Sequence, residues 1–163
     1  MRPTQLFCAI GVSLWSAAAA GNQAPSTVAL SEALRAHVKE ERFGIVTAVR
    51  GLPLGVRDAL EKLFGSQGLD IAEPGAEFQV TDVVVNRKLP TRRLVAAGCS
   101  IDHCLVYYER GGLAHTWHVA LFHWTPAATR FEGGGLAPGG FTTVDQLRNA
   151  VLSGTLKNQN GPW

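Results

Sequence analysis

Several familiar activities are excluded by what this chain lacks. It contains no G-x-S-x-G, no H-E-x-x-H and no pair of catalytic carboxylates, so none of the common hydrolase templates fits. The glycine run Gly133–Gly135 lacks the Gly-Lys-Ser/Thr of a phosphate-binding loop and reads as a linker. Only three cysteines are present, and the one C-x4-C pair has no second ligand pair at finger spacing, a poor zinc signature. Charge is scarce and balanced, with 15 basic against 13 acidic residues, which argues against nucleic acid as a partner. No apolar run approaches the roughly 20 residues that a membrane-spanning helix needs. There is no internal repeat and no composition break that would mark a second domain.

The longest apolar run, Leu6–Trp15, follows Arg2 and gives way to a cluster in which Ala18 and Ala20 supply an A-x-A cleavage site. This is the pattern of a secretory signal over residues 1–20. Cleavage after Ala20 leaves one domain over residues 21–156 and a patternless tail over 157–163, expected to be disordered. The expected location is periplasmic or extracellular. Beyond the leader only Cys99 and Cys104 remain, and in an oxidising compartment the simplest state for such a pair is a disulfide.

The stretch Arg92–Trp124 organises the rest. It reads as three antiparallel strands joined by two turns, the second at Gly111-Gly112. A two-residue turn there sets Tyr108 opposite His115, Val106 opposite Trp117 and Cys104 opposite Val119. One face then carries Val95, Ala97, Cys99, Cys104, Val106, Tyr108, Trp117, Val119 and Leu121 as core, because alternate residues of a strand share a face. The other carries Tyr107, His118, Phe122 and Trp124.

Around this meander, the pattern predicts a helix capped by Ser26 with Leu30, Leu34 and Val38 on one stripe, and a buried strand over Phe43–Val49. A second helix starts near Pro53 and stops at Gly65. Residues 66–77 read as loop, and Phe78–Asn86 as a strand pairing with Arg92–Ser100. That pairing sets Asp82 on the core face, which is costly without a partner or a bulge. An edge strand is expected over Thr129–Glu132 and a flexible link over Gly133–Gly140, followed by a helix behind the capping box Thr143–Gln146. The fold class is α+β: a four- to five-stranded antiparallel meander with two or three helices packed mainly on one sheet face.

Candidate sites follow from this layout. Tyr107, His118, Phe122 and Trp124 form an aromatic surface suited to recognition, unless a helix or loop covers it. Arg87, Lys88, Arg92 and Arg93 cluster at a hairpin tip that could meet an anionic partner. Cys99, His103 and Cys104, with His115 or His118 one strand away, supply metal-ligand types as an alternative to the disulfide. Ser100, Asp102 and His103 have the residue types of a catalytic triad but crowd a single turn. The functional expectation is a small exported, non-catalytic binding module: an inhibitor, immunity-type or envelope accessory protein with a protein partner and no cofactor. A metal-binding protein is the alternative, and an enzyme of unrecognised type comes third.

Overall fold

The computed structural model describes residues 30–84, 86–159 and 163. The expected signal over residues 1–20 and the cap at Ser26 lie outside the described residues. Helix α1 (Glu32–Glu40) opens at Ser31, whose side chain accepts from the Leu34 N–H and so satisfies one of the helix's free amide donors. The edge strand β1 (Gly44–Val46) and a single 3-10 turn at Val49–Gly51 lead to α2 (Leu54–Phe64). Pro53 stands at the N-cap of α2, and Gly65 ends it in the left-handed conformation, which costs glycine no Cβ clash. Strands β2 (Arg92–Cys99), β3 (His103–Arg110), β4 (Thr116–Trp124) and β5 (Thr129–Ala137) follow, then α3 (Val144–Ser153). The Thr143–Gln146 capping box forms as the sequence predicts, and Gly154 terminates α3.

The five strands lie in the order β1-β2-β3-β4-β5, each antiparallel to its neighbour. The fold is therefore α+β with a meander sheet. Its register differs from the expected one. Tyr108 pairs with His118, Val106 with Ala120 and Cys104 with Phe122, an odd-numbered slip that reverses the faces of β4 relative to β3.

The reason lies at Gly111 and Gly112, whose N–H groups donate to Thr91 and Val80 instead of closing a two-residue turn. The connection between β3 and β4 consequently runs from Gly111 to His115. A Cβ on Gly111 would collide with the backbone of Gln79 and Val80. This close approach is what Gln79, Val80 and Thr81 make in place of the expected strand. They lie beside the Gly111–Gly112 connection through one bridge, Thr81 to Gly112. Asp82 is exposed there, which removes the burial conflict.

Two further expectations change. Val95 sits in a bulge of β2 between Leu94 and Ala96, so it turns away from the core face expected of it. The Gly133–Gly135 run is not a flexible link but the buried middle of β5. A Cβ on Gly134 would meet the Val119 carbonyl oxygen, so glycine is what lets β5 close against β4 here. The tail is also tied in part, for Lys157 and Leu136 exchange backbone hydrogen bonds of 2.9 and 2.8 Å.

Both sheet faces are core. On one, Val56, Leu60 and Phe64 of α2 pack against Leu94, Ala97, Cys104, Val106, Tyr108, Ala120 and Phe122. On the other, Val38 of α1 and Val144, Leu147, Ala150 and Val151 of α3 cover Leu105, Tyr107, Val119 and Leu121. Two of the three helices thus share one face while α2 seals the second. The short β1 lies at the sheet edge with Ile45 exposed, not buried as its apolar run suggested. Among the described residues no helix is long and apolar enough to cross a membrane.

If both faces are core, truncation on either side should be equally damaging. Phe122→Ala and Leu147→Ala are each expected to lower unfolding stability by about 2–5 kcal/mol in denaturant melts. A loss under about 1 kcal/mol for one of them would mean that its face is not sealed.

Candidate metal centre

The last turn of α1 and the tip of the β2–β3 hairpin meet because β1 pairs with the end of β2. Gly44 lies opposite Cys99, so the residues just before β1 run past those just after β2. Glu41, the C-cap of α1, is brought beside Ser100, Asp102 and His103. His37 stands one helical turn before Glu41 and shares its side of the helix.

Four potential ligand atoms converge there. A Glu41 carboxylate oxygen lies 2.6 Å from His37 Nε2 and 2.6 Å from His103 Nδ1. Asp102 lies 3.1 Å from His37 Nε2 and 3.3 Å from His103 Nδ1. All four ligand atoms lie within 4.8 Å of one another. The Ser100 hydroxyl donates to the other Glu41 oxygen and accepts from the His103 N–H at 2.9 Å, which fixes the tip against the helix end. Arg148 donates to the Glu41 main-chain carbonyl at 2.9 Å. His37 and His123 each make edge-to-face contact with the His103 ring, at 5.1 and 5.2 Å between centroids.

The electrostatics favour a cation. The side chains of His103 and Glu41 are only 3% and 7% exposed, whereas those of His37 and Asp102 are 51% and 31% exposed. The cluster therefore has a buried half, His103 and Glu41, and a partly exposed half, His37 and Asp102. Glu41 stands at the negative end of α1, where the helix dipole favours nearby positive charge. For Asp102, desolvation pushes the carboxyl up, but the hydrogen bonds with His37 and Glu41 and the neighbouring His103 outweigh it and hold the group below its ordinary range. The hydrogen bond to Asp102 pushes His37 up against a smaller desolvation effect. With neutral imidazoles the cluster has two carboxylates and no cationic side chain among its four donors.

The donor set of two imidazoles and two carboxylates suits zinc and other divalent first-row metals. A tetrahedral ion with bonds of about 2.0–2.1 Å needs ligand atoms about 3.3 Å apart. For such an ion the two 2.6 Å pairs on Glu41 would open and the wider separations would close, with the more exposed His37 and Asp102 the side chains best placed to adjust. The donor types and their convergence therefore suit such an ion.

This cluster is not the one the sequence suggested. The sulfurs of Cys99 and Cys104 lie 2.05 Å apart across the last hairpin pair, the length of a disulfide, with their Cα atoms 4.1 Å apart. They offer no thiolate, so His103 alone of Cys99, His103 and Cys104 joins the centre. His115 instead hydrogen-bonds Glu109 at 2.7 Å, and His118 points into the α2 core. Sequence reasoning misses His37 and Glu41. Their only local signal is the H-x-x-x-E spacing at a helix end, and Asp102 and His103 stand out there as triad types rather than as partners of that helix.

The other candidates disperse. Tyr107, His118 and Phe122 are buried, and they do not share a face: Tyr107 packs under α3, His118 and Phe122 under α2. Trp124 is partly buried against the α2 core, so the recognition surface expected of these four aromatics does not form. Of the basic group, Arg87 and Lys88 are exposed. Arg92 is buried, bound to Asp70 and to the Trp163 main-chain oxygen, and it lies over the Phe64 ring. Arg93 pairs with Glu109 at 2.6 Å and stacks on Phe78. Ser100, Asp102 and His103 remain together, but the serine hydroxyl is spent on Glu41.

Burial, followed by the charges of Arg110 and Arg92, lowers the pKa of His118 to about 4. Its unfolded value is about 6.5, so this neutral histidine adds stability above about pH 6.5 that is lost as pH falls toward about 4. The full loss should reach about 3 kcal/mol. Urea melts between about pH 4 and pH 7 should show this slope, and His118→Asn should flatten it. No protein-family model matches this chain, and comparison with curated proteins and with solved structures finds no match.

Proposed function

We propose that this chain is an exported binding protein, periplasmic or extracellular, whose ligand is a divalent transition-metal cation held by His37, Glu41, Asp102 and His103. The observation that carries this reading is the convergence of two imidazoles and two carboxylates in one partly buried cluster. Export is supported by the Leu6–Trp15 run with Ala18 and Ala20, and by the paired Cys99 and Cys104. Four protein donors fill a tetrahedral shell and leave no open position for a reactive water. That favours carrying or sensing a metal over catalysis. The protein-partner reading is left without a continuous aromatic surface, because Tyr107, His118 and Phe122 are buried and Trp124 is partly so.

Isothermal titration of the chain from Gly21 onward with zinc should give one ion per molecule. At a zinc concentration about one hundred times the Kd, unfolding stability should rise by about 2.7 kcal/mol. His103→Ala and Glu41→Gln should each weaken binding at least about tenfold, while replacing both Cys99 and Cys104 with Ser should leave the stoichiometry intact. Absence of saturable binding, or binding unchanged in His103→Ala and Glu41→Gln, would overturn the proposal.

A further inference from the structure

The α2 face of the sheet carries a second unusual cluster, at the opposite end of β3 from the metal centre. Arg92 and Arg110 are direct cross-strand partners, Arg110 pairs with Thr116, and Tyr108 pairs with His118. By the two-residue alternation of each strand, these side chains share one face. Tyr108 and His118 are 0% and 1% exposed and their rings stack at 5.1 Å. Trp163 lies over His118 with ring centroids 6.1 Å apart.

The polar groups here are nearly all donors, and several have nothing to donate to. The Tyr108 hydroxyl, His118 Nδ1 and Arg110 Nε are all buried without a hydrogen-bond partner. His118 Nε2 lies 2.9 Å from the Thr116 hydroxyl. When Thr116 donates that bond, Nδ1 carries the imidazole proton and becomes a further donor. Asp70 is the acidic side chain paired here, and it is taken by Arg92. Arg110 has no acidic partner among the described residues. A part-buried guanidinium beside orphaned donors is costly unless something negative satisfies them.

Arg92 already shows which chemistry suits the place. Its Nε and Nη2 both donate to one oxygen, the main-chain oxygen of Trp163, so one guanidinium edge of the cluster already serves an oxygen acceptor. We infer that Arg110, Tyr108 and His118, beside the Arg92–Trp163 contact, form a binding site for a small oxyanion, a carboxylate or a phosphate group. Arg110 is only partly buried and provides the entrance. Trp163, itself partly buried, lies beside the His118 ring. The site shares no residue with the metal centre and stands whether or not that centre binds a cation.

Thermal melts of the whole exported chain at fixed ionic strength test this, with chloride replaced stepwise by inorganic phosphate or by acetate. A saturable rise in Tm beyond that in chloride is expected for at least one of them, and which one responds identifies the oxyanion. Arg110→Met should weaken the response at least about tenfold. Tyr108→Phe, which keeps the ring and removes only the orphaned hydroxyl, should weaken it about three- to tenfold while leaving the anion-free Tm unchanged or higher. If Arg110→Met does not fold, Tyr108→Phe decides alone. Equal melts in phosphate, acetate and chloride, or a response undiminished in the folded variants, would overturn the inference.

Discussion

The structure depends on β3 being out of water on both sides. His103 through Glu109 are all buried, which a strand achieves only with packed layers above and below the sheet. Alternation between a wet and a dry face is therefore not available to this strand, and its sequence, HCLVYYER, is apolar at successive positions. Covering both faces takes three helices: α2 on one, α1 and α3 on the other. The approach of α1 to the sheet is what carries His37 and Glu41 to the hairpin tip.

The same double burial explains why the sequence yields the strands more readily than their register. The stretch Arg92–Trp124 is legible as three β-prone runs, and Cys99 faces Cys104 as expected because their loop is short. The Gly111–Gly112 turn misleads because its amides are used by Thr91 and Val80, partners far away in sequence. In a sheet with one wet face, a slip of odd length would expose the hydrophobic set and betray itself. Here both faces of β4 are apolar, with Val119 and Leu121 on one and Ala120 and Phe122 on the other. The pattern thus fits either register, and only tertiary contacts choose between them.

Helix boundaries are the most local problem and the most legible. Gly65, Gly154 and the Thr143–Gln146 box act through bonds a few residues long. The metal centre is the reverse case. His37 and Glu41 lie far from Asp102 and His103 in the chain, His103 coming 62 positions after Glu41, and nothing local marks them as partners. The β1–β2 pairing joins them, and β1 is only three residues long. Arg92 and Arg93 mislead for a related reason: adjacent cations on a strand point to opposite faces, so one enters the α2 core and the other pairs with Glu109.

The central claim is that these distant side chains hold a metal ion through nitrogen and oxygen alone, with the cysteines occupied by each other. X-ray absorption at the zinc edge, on zinc-loaded protein freed of excess metal by gel filtration, tests it directly. The account predicts a shell of four nitrogen and oxygen neighbours at about 2.0–2.1 Å, with the multiple scattering of two imidazoles. A sulfur shell near about 2.3 Å, or no zinc retained on the protein, would contradict it.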